Sequence, residues 1–196
     1  MKLFKNIKKW LENQEHLFYL FLLILIVPNI ILCFTEPMPV VAKVCNVLLP
    51  FAFYYLLMTL SRNCGKMFWI LFLFIFFGAF QIVLLYLFGQ SIIAVDMFLN
   101  LVTTNSSEAM ELLDNLVPAL VSVIILYIPA LILAAISIIK KRKLSPEFIR
   151  RERKKAWIAL LIGFISLGAA YGLDKRYELK SDLYPANVCY NVALAF

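Results

Sequence analysis

The chain has 196 residues, 63% of them hydrophobic and only 16% charged, with a formal net charge of +7 and a mean hydropathy of +0.88. A soluble domain is about 45–50% apolar and about 25% charged, so disorder, a collagen-like repeat and a soluble core are excluded and an integral membrane protein remains. One His and four Cys leave little material for a zinc site, which needs about four N, S or O ligands.

A hydrocarbon core about 30 Å thick takes about 20 mostly apolar residues per helix, and five stretches qualify. The first, 17–34, follows Lys2, Lys5, Lys8 and Lys9. It is too long for a signal peptide, has no small-residue cleavage site and leads into further spans, so it reads as an uncleaved anchor. Cys33 and Cys45 flank the connection to the second span, 44–60. They are either a disulfide in an oxidising compartment or small apolar packers. A short link with Arg62 and Lys66 leads to the third span, 67–88, whose Gln81 reads as the strongest interior polar group.

A longer connection, 89–115, precedes the fourth span, 116–139; the stretch holding Lys140, Lys141, Arg142, Lys143, Arg150, Arg151, Arg153, Lys154 and Lys155 reads as a solvated topogenic loop before the fifth, 156–173. Pro28, Pro50, Pro118 and Pro129 lie in or at the ends of spans, where membrane helices tolerate them. Gly168 and Gly172 form a small-xxx-small face predicted to pack within the bundle.

No Asp, Glu, Lys or Arg lies inside any of the five spans, which disfavours an ion-coupled pump, transporter or channel. Barrel strands would instead be about 10 residues long with alternating polarity. The predicted fold class is therefore an all-α membrane protein, a bundle of five transmembrane helices. Basic residues concentrate in cytoplasmic loops, which places the N-terminus inside and, after five crossings, the tail 174–196 outside. Most of the positive charge flanks the membrane without any nucleic-acid-binding motif, so topology and anionic-lipid contact account for it and nucleic acid is not a partner.

The connection 89–115 has no basic residue and four acids, Asp96, Glu108, Glu111 and Asp114. Its part 91–102 is apolar but too short to span, and is predicted to lie along the outer interface. The part 103–114 is polar first and helix-forming afterwards. Asn105 with Glu108 three residues on is one reading, a helix-capping pair. Asn100, Thr104 and Glu108, spaced by four and four, are another: on a helix they share a face at the membrane surface. There a carboxylate pairs with an ammonium headgroup, while an amide and a hydroxyl bond phosphate or ester oxygens.

At these residues the sequence resembles the phosphoethanolamine transferases that modify lipid A, including the mobile colistin-resistance enzymes. The resemblance spans five helices, the basic fourth connection, the segment 100–109 with its N-x-x-x-T-N-x-x-E-A pattern, and the tail Tyr184-Pro185-Ala186-Asn187-Val188-Cys189-Tyr190-Asn191. It implies a bacterial inner-membrane domain, 1–173, followed by the start of a linker, 174–196, to a periplasmic catalytic domain of the alkaline-phosphatase and sulfatase type. That covalently linked domain would hold zinc and a Thr nucleophile, taking phosphoethanolamine from phosphatidylethanolamine to lipid A and conferring polymyxin resistance. Asn100, Thr104 and Glu108 would bind the donor lipid, with no catalytic or metal-binding residue in this chain. With His16 its single histidine, the chain alone is expected to be inactive. A non-catalytic scaffold that binds lipid or docks a partner protein is the alternative.

Overall fold

The computed structural model describes residues 10–35, 38–88 and 106–173; the predicted interfacial stretch through residue 105 and the linker 174–196 lie outside the described residues. The long elements are α1 (Gln14–Thr35), α2 (Val40–Met58), α3 (Cys64–Ile70), α4 (Phe72–Phe88), α5 (Ser106–Ile139) and α6 (Pro146–Leu173). No strand occurs among the described residues. Among the described residues, four helices are long and apolar enough to cross a membrane: α1, α2, the Leu120–Ile139 part of α5, and α6.

The third predicted span is divided at Leu71, whose N–H bonds to the carbonyls of Met67 and Trp69. Phe74 then bonds back to the Leu71 carbonyl at 3.0 Å, an i→i−3 step that tightens the helix locally. The Trp69 and Phe72 rings stack across the step, 5.8 Å apart. With 17 residues, α4 alone rises about 26 Å at about 1.5 Å per residue, short of a full hydrocarbon core.

Two element boundaries depart from the sequence reading. Helix α5 starts at Ser106, so Glu108 stands in its first turn, where the positive helix end favours an acid, and Glu111 and Asp114 follow in the next two. The predicted basic loop contracts to 140–145, because α6 begins at Pro146. Ser145 Oγ accepts from the Phe148 N–H at 3.1 Å, Pro146 occupies the first helical position and Glu147 the first turn, the combination that starts helices. Helix α5 ends with Arg142 N–H on the Ser137 carbonyl (3.1 Å), Lys141 N–H on Ile138 (2.9 Å) and Lys141 left-handed at φ 50°. This is a Schellman stop with lysine where glycine is usual.

Helix α2 packs along α6 and against α1, while α5 covers α3 and α4. The core holds Phe18, Phe21, Tyr54, Met58 and Phe68, with Phe21 and Phe68 stacked at 4.4 Å. Close backbone approach occurs at Gly163, where a Cβ would sit 3.1 Å from Leu49 Cα, and at Gly65, where it would strike the Ala134 carbonyl oxygen. The small face was predicted at Gly168 and Gly172, yet a Cβ at either meets nothing within 4 Å. Gly65 meets small residues, Ala134 and Ser137, on the facing helix, whereas Gly163 is set opposite a leucine.

Asn29 and Asn46, both fully buried, join α1 to α2. Asn29 Nδ2 donates to Asn46 Oδ1 (3.1 Å) and O (3.0 Å), and Asn46 Nδ2 donates to the Asn29 carbonyl (2.9 Å). Such exchange satisfies polar groups that lipid cannot, and fixes helix register. This pair adds buried polarity within the first two spans; the side chain of Gln81 lies outside the described residues. Cys33 and Cys45 are free thiols, with Cys33 Sγ 3.4 Å from the Lys43 carbonyl.

Candidate functional site

The predicted donor-lipid face is only partly placed. Glu108 lies in the first turn of α5, two residues after Ser106, with its backbone described; Asn100 and Thr104 lie outside the described residues. The helical backbone through 106–115 runs directly into the apolar part of α5. Glu108 and Glu111, three apart on that helix, share a face.

The opposite end of the bundle is described in full side-chain detail from Trp10 onward. The α2–α3 link with Arg62, the α5–α6 link with Lys140 to Lys143, and the start of α1 with Glu12 converge there, while Lys2, Lys5, Lys8 and Lys9 lie outside the described residues. Arg142 bridges to Glu12 by a 3.8 Å ion pair and donates to the Glu12 carbonyl at 3.3 Å. Leu144 N–H donates to the Arg62 carbonyl (2.7 Å), and Arg62 Nε returns a bond to the Leu144 carbonyl (3.0 Å). Asn63 caps α3 by accepting from Lys66 N–H (2.8 Å), while its amide donates to the carbonyls of Ser137 (3.3 Å) and Arg142 (2.9 Å). The start of α1, the α2–α3 link and the α5–α6 link thus form one stitched, basic end. His16 belongs to this end, its ring stacked on Trp10 at 4.9 Å.

Glu152 is the polar centre of that end. It stands just before the apolar stretch 156–173 and is completely buried. Tyr55 Oη on α2 donates to its carboxylate, Arg151 Nε lies 2.8 Å away and Lys155 Nζ 3.0 Å away. These donors satisfy a carboxylate that burial would otherwise leave costly to keep charged. Next to it, Arg153 Nη2 donates to the Thr59 carbonyl at 2.6 Å, satisfying the C-terminus of α2. The basic stretch 150–155 is therefore helical rather than a loop, its five basic residues exposed as expected and Glu152 alone buried, and that one acid was the sequence signal for it.

No three His, Cys, Asp or Glu side chains converge into a metal-binding group among the described residues. In comparisons with protein-family models, with curated proteins and with solved structures, the chain has no significant match. Four apolar helices long enough to span a bilayer make it a multi-pass membrane protein by length and composition.

Proposed function

We propose that the chain is the membrane domain of a phosphoethanolamine transferase, which binds phosphatidylethanolamine and presents it to a covalently linked catalytic domain for transfer to lipid A. The observation that carries this reading is the external segment 100–109, with Asn100, Thr104 and Glu108 at the family's positions. The helical backbone from Ser106 supports it, because it puts Glu108 in the first turn of a helix that continues into the apolar Leu120–Ile139 stretch.

On this reading the split third stretch, α3 and α4 together, is the fifth crossing. The stitched basic end is cytoplasmic, since Lys and Arg are retained on that side, and the 89–115 connection faces the periplasm of a Gram-negative inner membrane. The domain's contribution is proximity: holding the donor's phosphodiester beside the catalytic domain turns an encounter into a positioned reaction. Zinc in the catalytic domain would activate that domain's Thr nucleophile; this chain's described residues do not form its site, and Glu108 only binds the donor's ammonium.

The test is Glu108→Ala in the longer enzyme, assayed by mass of lipid A from cells. Transfer falls at least about tenfold at equal protein level, since a charge-assisted hydrogen bond is worth about 1.5–3 kcal/mol. Unchanged transfer refutes the assignment. A fall in protein level matching the fall in transfer points to the capping role instead.

A further inference from the structure

Between the α2–α3 link and the first turns of α6 lies a cavity of about 390 Å³, its walls including Arg62, Arg150, Arg153, Lys154 and Trp157. The volume falls within the range of about 300–1,000 Å³ typical of small-ligand sites. None of its lining residues is acidic. The charged run at the start of α6 is sorted by helical spacing. Residues 150, 153, 154 and 157 follow the i, i+3, i+4, i+7 pattern of a single face, and this face lines the cavity. Arg151 and Lys155 turn to Glu152 instead, so the one acid of the run is used elsewhere.

Two of the cations are already fixed. Arg153 is held on the Thr59 carbonyl (2.6 Å) and Arg62 Nε on the Leu144 carbonyl (3.0 Å). Arg150 and Lys154 are exposed and make no ion pair among the described residues. Below them Trp157 is 57% exposed, followed by exposed Ile158 and Leu161, so the cavity opens onto the apolar face of α6 at the level where tryptophans sit in membranes.

We propose that this cavity binds the phosphate of an anionic membrane lipid. Arg62 and Arg153 present pre-positioned donors, Arg150 and Lys154 close over the phosphate, and Trp157 packs against the glycerol and the first acyl carbons. A fork of guanidinium donors matches phosphate oxygens. A lipid fits better than a free anion because the apolar surface continues from the cavity along α6. An anionic headgroup fits better than a zwitterionic one because an ammonium would find only cations there. The site is separate from the Glu108 segment and stands whether or not the donor-lipid reading holds.

The test uses the full chain with Trp10→Phe and Trp69→Phe, leaving Trp157 as the only one of three tryptophans. It is reconstituted in phosphatidylcholine vesicles carrying a minor fraction of dibrominated phosphatidylglycerol. Bromine quenches Trp157 more strongly from phosphatidylglycerol than from the same fraction of dibrominated phosphatidylcholine. Arg150→Gln with Lys154→Gln lowers that preference by about fivefold for each cation removed, with helicity by circular dichroism unchanged. Lys140→Gln with Lys141→Gln, an equal charge loss outside the cavity wall, leaves it intact, as does the charge-conserving Arg150→Lys with Lys154→Arg. Equal quenching by both lipids, or equal loss from the Lys140 and Lys141 pair, overturns the proposal. Abolition of the preference by added inorganic phosphate overturns the lipid assignment in favour of a free-anion site.

Discussion

Asn46 and Glu152 carry most of what single side chains contribute to specificity here. Exchange between Asn29 and Asn46 ties α1 to α2 within apolar surroundings, so Asn46→Leu is expected to destabilise the bundle by about 1 kcal/mol. The double variant Asn29→Leu with Asn46→Leu recovers part of that, because neither amide is then left unpaired. Titrated unfolding in mixed detergent micelles measures both. Glu152 joins α6 to α2 through the hydrogen bond from Tyr55, so Tyr55→Phe, which leaves that carboxylate one donor short, is expected to destabilise the bundle by about 1–3 kcal/mol in the same titration. Both signals were in the sequence as isolated polar residues in apolar or basic surroundings. Which partner each would find was not, because Tyr55 and Glu152 are 97 residues apart.

At the level of helices, the apolar runs and the proline and serine punctuation were legible. The lengths of the apolar runs located α1 and α2 closely, and Ser145-Pro146-Glu147 marks the true start of α6 ten residues before its apolar stretch. Charge obscured that boundary: a basic run reads as solvated loop until a buried acid fixes one face of it. The break at Leu71 has no proline or glycine to announce it, and arises from local tightening beneath stacked Trp69 and Phe72. The stop of α5 is equally silent, since Lys141 takes the left-handed conformation that glycine adopts at lower cost. Lys141→Gly is therefore expected to stabilise the chain by about 1 kcal/mol, measured by the same unfolding titration. Gly65→Ala is expected to do the reverse by about 3 kcal/mol or more, because α3 and α5 must separate to admit a methyl group at the Ala134 carbonyl.

Across the whole molecule, the exposed apolar side chains of α5 and α6, such as Ile125, Ile128, Leu161 and Phe164, match a lipid solvent rather than a missing soluble partner. The α2–α3 and α5–α6 connections meet the start of α1 at one end, which agrees with a shared membrane side, and the proposed orientation makes that side cytoplasmic. A cysteine placed at Lys143 is then labelled by an impermeant maleimide only after inner-membrane vesicles are inverted. Composition alone revealed the membrane class; the donor-binding role rests on the pattern Asn100, Thr104 and Glu108, of which Glu108 lies on a described helix.

The most direct measurement is headgroup preference of the chain itself. Native mass spectrometry of protein released from vesicles of equal phosphatidylethanolamine and phosphatidylcholine counts the lipids retained. The account predicts selective retention of phosphatidylethanolamine, reduced by about tenfold or more in Glu108→Ala, where the carboxylate that pairs the ammonium is gone. Equal retention of the two lipids, or a preference that Glu108→Ala leaves untouched, would contradict it.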